Sequence, residues 1–170
     1  MPLPLAHALV GASVATAILS PQTPHRYWKI LLSGLLAVTP DLDFFFVWVL
    51  GWDRAWHRGF THSMVFAIIG GALAGLIVSR RYALQSHLRD LWAYCLAMMS
   101  HGFLDALFSF EGGGVALLWP FTSSRYKLGY TTLLESTETW RHMLSQSVLE
   151  AVIFVPIFTA VLWLRRARRE

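Results

Sequence analysis

The sequence predicts an all-α membrane protein, a bundle of about five apolar helices with a metal site toward its outer face. Three observations predict it. Apolar residues make up 55% of the 170 and charged residues 14%, against roughly a quarter charged in an average soluble protein. Mean hydropathy is +0.49. At four places the apolar runs are interrupted by histidines and aspartates, residues costly in such surroundings unless something pairs with them.

The length suits one membrane-embedded domain, 1–170. The first helix is expected at about Leu5–Ser20, entered through Pro2 and Pro4 and stopped by Pro21. The second spans about Trp28–Leu50 and is expected to break at Pro40, because proline removes a helix hydrogen bond. The third spans about His62–Ser79, with Thr61 as its N-cap. Its apolar stretch, Met64–Val78, is shorter than the roughly 20 residues of a full crossing. Gly71 and Gly75 form a GxxxG there, a spacing that suits close helix packing.

The fourth helix spans about Leu88–Phe110. It and the first carry polar residues, which suits positions inside the bundle. The fifth spans about Ser147–Leu164. The Gly- and aromatic-rich stretch between them, 110–146, reads as an extramembrane or interfacial excursion.

The eight tryptophans lie mostly near segment ends, as in an interfacial belt. Cys95 is the only cysteine, which excludes an intramolecular disulfide and a Cys-rich zinc motif. The net charge of +4 does not point to nucleic acid, because the basic residues cluster at the ends of apolar runs. The N-terminus lacks the basic region and cleavage site of a signal peptide, so its apolar run is expected to be retained.

The basic residues also suggest an orientation. Arg26, Lys29, Arg80, Arg81, Arg89 and the tail RRARR fall on one side of a five-span topology. Arg54, Arg58, Arg125, Lys127 and Arg141 fall on the other. The bias places the C-terminus inside and the N-terminus outside. All the interrupting His and Asp residues then gather toward the outer face. The inner halves of the helices read as plain.

His101 and Asp105 are spaced i,i+4, so they share one helix face and can reach a single ion. Alternatively Asp105 orients His101, or the two form a structural pair. Asp41 and Asp43 flank the expected break in TPDLDFFF. Two carboxylates held together repel unless a cation neutralises them. Either could be the ligand, with the other beside it. HRGFTHS places His57 and His62 around Gly59, and a corner there can aim both imidazoles inward. Arg58 between them suits an anionic substrate group. His7 is the least specific candidate, since a lone histidine near a helix start also serves as a cap. His142 is marginal, because its i+4 neighbour is Gln146 rather than an acid. Together these residues suggest a divalent metal held by His7, Asp41, His62, His101 and Asp105. Nitrogen and oxygen donors without thiolate suit zinc, with manganese or iron as alternatives.

The order of an N-terminal His, PDLD, HRGFTHS, SHGFLDAL and VALLWPFTSSRY resembles the YdjM-type family of inner-membrane metal-dependent hydrolases. The resemblance covers His7 to about Lys127. It implies a multi-pass protein of the bacterial inner membrane with a metal-dependent hydrolase activity. More remotely, the His/Asp order is similar to zinc-dependent phospholipase C and the S1/P1 nucleases. That likeness would match Asp41, His57 or His62, His101 and Asp105 to ligands. It departs at Gln146, where those enzymes carry an acid.

The expected function is hydrolysis of an ester by a metal-activated water. The expected substrate is a phosphodiester or a phospholipid drawn from the bilayer. Asp43, His57 and Arg58 are the candidates for catalysis and substrate contact. The rival is a non-enzymatic transporter or ion-binding protein that uses the same cluster. It would need polar groups continuing toward the inner face.

Overall fold

A computed structural model describes residues 2–53, 56–79, 84–108, 113–129 and 140–167; at 79, 84–86 and 140–142 it describes the backbone alone. Five α-helices follow in order: α1 Pro4–Ile18, α2 Arg26–Val38, α3 Met64–Ser79, α4 Leu84–Phe108 and α5 Trp140–Ala167. No strand forms among the described residues; Val115 and Tyr126 make an isolated antiparallel bridge. The fold is the expected helical bundle.

Three helical stretches are long and apolar enough to cross a membrane: Arg26–Val49, His87–Phe108 and Met143–Ala167. Pro4–Ile18 and Met64–Val78 are apolar but shorter. Among the described residues, three of the five helices thus reach the length of a full crossing, and the bundle is compatible with a multi-pass membrane protein. α1 is the hub, packed against α2, α4 and α5, while α3 packs on α4. The short α1 is largely enclosed by its neighbours.

Two local expectations hold for the expected reason. Beyond Val38 the second segment tightens into a 3₁₀ turn, Thr39–Leu42, at Pro40, then widens into a π-helix, Phe45–Val49. Gly71 lies so close to α4 that a Cβ there would sit 2.5 Å from the Cys95 Cα. The GxxxG thus lets the α3 and α4 backbones touch.

Three expectations are corrected. The N-cap of α3 is Ser63, whose Oγ accepts the Phe66 N–H at 3.1 Å. Thr61 lies further upstream, in the 3₁₀ turn Phe60–His62, and its hydroxyl is used elsewhere. The excursion ends early, because α5 begins at Trp140 and includes residues placed outside the helix on sequence. The remote halves of the helices are not plain. There Lys29 on α2 and Asp90 on α4 form a buried ion pair, Nζ to Oδ2 2.5 Å, with buried Arg26, Ser33 and Tyr94 nearby in sequence.

The segment 113–129 folds back over one end of the bundle. Ala116 N–H donates to the Arg58 carbonyl, Met64 N–H to Leu117 and Leu128 N–H to Ala106. These bonds tie the segment to the 57–64 turn and to α4.

Candidate metal centre

Four elements meet beneath that segment. α1 supplies His7, the Pro40 turn supplies Asp41, the 60–62 turn supplies His62, and α4 supplies His101 and Asp105. His7, His62, His101 and Asp105 are buried, and Asp41 is nearly so. Asp41, His62, His101 and Asp105 each offer a ligand atom, and these atoms lie within 4.8 Å of one another. His62 Nε2 is 3.6 Å from Asp41 Oδ1 and 3.4 Å from Asp105 Oδ2. His101 Nε2 is 3.4 Å from Asp41 Oδ1 and 3.6 Å from Asp105 Oδ2. His7 stacks on His101 with ring centroids 3.8 Å apart, and its Nε2 is 3.4 Å from Asp105 Oδ1.

The surroundings decide which atoms point inward. His101 Nδ1 lies 2.7 Å from the Ala37 carbonyl, an acceptor, so Nδ1 carries the proton and Nε2 keeps its lone pair. His62 Nδ1 is engaged by Thr61 Oγ1 at 3.0 Å, which leaves its Nε2 facing the carboxylates. Gly102 lets this happen: a Cβ there would meet the His62 carbonyl at 2.6 Å, so only glycine admits the turn against α4.

Both oxygens of Asp41 and Asp105 and the Nε2 of His62, His101 and His7 are buried without a hydrogen-bond partner. Buried polar atoms are normally satisfied, and each orphan is costly. One ligand atom each of Asp41, His62, His101 and Asp105 converges within 4.8 Å, with His7 beside them. The two aspartates carry a formal −2, which one divalent cation neutralises. The donor set therefore fits a metal ion on both geometry and charge.

Burial opposes a charge on His62, but the Asp105 and Asp41 carboxylates outweigh it and raise its pKa to about 9. Without a cation, the cluster recruits a proton in its place.

The three residues expected to act in catalysis lie beside this group, not within it. Asp43 accepts from Arg58 N–H at 3.1 Å and Thr61 Oγ1 at 3.0 Å, and contacts His57 Nδ1 at 2.9 Å. Both its oxygens are thus occupied by the turn that carries His62. His57 pairs with Asp43 and packs against Phe44 and Trp48 rather than turning inward. Arg58 is buried in a left-handed conformation, φ 59°, with its backbone bonded to Asp43 and Ala116. The His142 side chain lies outside the described residues. His25 and His87 are not in the cluster.

Besides Asp90, a second buried acid escaped the sequence reading. Glu150 of α5 accepts the N–H groups of Leu3 and Ala6 at 2.6 and 3.2 Å and the Gln146 amide at 3.1 Å. It closes the start of α1 one residue before His7. Its only sequence signal is an acid within an apolar helix, four residues after Gln146.

The Escherichia coli K12 inner membrane protein YbcI is 30% identical over 178 residues, covering 98% of this chain and 99% of its own. No solved structure matches the chain, and the expected remote likeness to phospholipase C is not shown. The model of one family, described as YdjM inner membrane protein, matches residues 1–169. A helical bundle with membrane-length apolar helices, near full-length likeness to an inner membrane protein and that match give one conclusion: the chain belongs to the YdjM inner membrane protein family.

Proposed function

We propose that the protein is a membrane-embedded, metal-dependent hydrolase of an ester, with a phosphodiester or phospholipid as substrate. The convergence of unpartnered Asp41, His62, His101 and Asp105 atoms on one buried point carries this reading. Zinc is the first candidate, with manganese or iron as alternatives, because the donors are nitrogen and oxygen only. Such an ion, when bound, supplies a Lewis acid that lowers the pKa of water and polarises a phosphoryl or carbonyl oxygen.

The chain's own residues do the rest. Asp41, His62, His101 and Asp105 hold the ion, and His7 fills a further position or orients Asp105. Asp43 orders the His62 turn through Thr61 and the Arg58 amide. Its partner His57, partly open to solvent, is the group placed to accept a proton at the edge of the site. Beside the turn lies a cavity of about 280 Å³, lined by Trp56, Gly59, Phe60, Ala116, Trp119 and Arg125. An aromatic rim with a guanidinium suits an amphiphilic anion at a membrane surface. The distribution of basic residues supports an outer, periplasmic placement of this end.

The test is metal analysis of detergent-purified protein, wild type beside His101→Ala, after reconstitution with zinc and manganese. About one or more bound ions per wild-type chain and near none in the variant is expected. Equal, near-zero metal in both sinks the reading. Turnover of a chromogenic phosphodiester then tests the reaction class; turnover of carboxyl esters or amides instead rejects the substrate class.

The buried Lys29–Asp90 pair favours a second reading, metal or proton transport, because it places charge in the remote half of the bundle. Gly11, Ala37 and Ala97 pack tightly between the two polar centres, which favours the hydrolase. Metal uptake into proteoliposomes would reverse that preference.

A further inference from the structure

α5 is the least embedded of the three long helices, and it packs chiefly on α1. It does not pack along α2, so a cleft remains between the two, floored by α1. This cleft is an apolar cavity of about 410 Å³, walled by Leu9, Leu31, Leu35, Phe158 and Leu162. At its mouth lies a second, polar cavity of about 510 Å³, lined by Thr23, His25, Arg26 and Trp28. Tyr27 lines both. Arg166 of α5 donates to the Tyr27 hydroxyl at 3.4 Å and closes the far side of the mouth. Arg165 precedes it, and the chain continues as Ala-Arg-Arg-Glu.

We propose that this composite cleft binds an anionic phospholipid, with acyl chain between α2 and α5 and phosphate at the mouth. Three features carry the assignment. The groove is apolar along its length, and Leu31 and Leu35 on its wall are more than half exposed, so a flexible acyl chain can lie along it. The mouth is cationic and flanked by Tyr27 and Trp28, residues suited to headgroup depth, and basic pockets between membrane helices suit anionic headgroups. Tyr27 lines both cavities, so groove and mouth are continuous, which suits an amphiphile whose chain and phosphate belong to one molecule. The cleft contains none of the cluster residues, so this site stands or falls independently of the metal centre.

Native mass spectrometry of the detergent-purified full chain tests it, with phosphatidylglycerol and phosphatidylcholine titrated separately. Wild type is expected to retain phosphatidylglycerol with a preference of at least about fivefold, since one arginine near the surface contributes roughly that factor. Arg165→Ala with Arg166→Ala is expected to abolish the preference while leaving phosphatidylcholine binding unchanged. Leu31→Trp, at an exposed groove wall, is expected to lower binding of both lipids. Metal content, measured on the same samples, is expected to match wild type in every variant. Equal binding of the two lipids overturns the proposal. So does unchanged phosphatidylglycerol binding in the double variant, or glycerol phosphate competing as well as the lipid. A dimer that forms without retained lipid overturns it too.

Discussion

The bundle buries charge in two places and treats it in opposite ways. Toward one end Lys29 and Asp90 neutralise each other at 2.5 Å. Toward the other, two aspartates and three histidines face one another with their inward atoms unpartnered. On α4 the centres are eleven residues apart, about 16 Å along the helix. The difference lies in what each needs from outside. A lysine–aspartate pair is complete within the chain. A cluster of acceptors and lone pairs is complete only with a cation. The first reads as architecture and the second as a binding site.

Substitution should separate the two sharply. Lys29→Ala leaves a buried carboxylate without its partner, and the expected cost is about 3–5 kcal/mol of stability. Replacing both members, Lys29→Met with Asp90→Leu, should restore most of that loss, because a well-packed apolar pair replaces a buried ion pair at little cost. Metal content per folded molecule should not change in either. Asp105→Asn should do the reverse. Above about pH 9, where His62 has lost its proton, it removes one of two uncompensated carboxylates, so there the metal-free protein should be at least as thermostable as wild type while metal binding collapses. Thermal melts with and without added zinc check both arms. A metal-free Asp105→Asn protein destabilised at that pH would turn the cluster into architecture like the pair.

The comparison sharpens with pH. His62 in the metal-free cluster holds a proton up to about pH 9, because Asp105 and Asp41 raise its pKa against the penalty of burial. That raised value stabilises the metal-free fold, fully below the ordinary histidine range, and the contribution is lost as pH rises through about 9. An incoming ion must displace this proton. Apparent zinc affinity should therefore rise about tenfold per pH unit between roughly pH 7 and 9, then level off. Competition titration against a chromogenic chelator measures the slope. A flat profile would mean that His62 donates no lone pair to the ion.

Much of this was legible in the chain because the governing signals are local. Long apolar runs marked the helices, Pro40 marked the break, and the i,i+4 spacing of His101 and Asp105 placed both on one face. What sequence could not supply was the contents of each neighbourhood. Asp41 and Asp43 looked interchangeable; tertiary contacts separate them, since Arg58 N–H, Thr61 and His57 occupy Asp43 and leave Asp41 bare. Lys29 and Asp90 lie 61 residues apart, so neither announced the other. Thr61 was a fair cap by residue type, but the turn ran two residues further and Ser63 took the role.

Glu150 gives the smallest expected effect and the finest distinction, because it belongs to neither centre. Its carboxylate accepts the N–H groups of Leu3 and Ala6, donors that a helix start leaves unsatisfied. A carboxylate also suits the positive end of the α1 dipole. Through that anchor, 147 residues away in sequence, α5 fixes where α1 begins and hence where His7 sits against Asp105. Glu150→Gln keeps the shape and one acceptor oxygen but loses the charge. The expected cost is about 1 kcal/mol of stability, the scale of a lost helix cap. Zinc affinity should fall by a few-fold if His7 completes the cluster, and His7→Ala in the Glu150→Gln background should then add less than it does alone. If the two losses simply add, the acid is an architectural clamp like the Lys29–Asp90 pair, and α5 has no part in the metal centre.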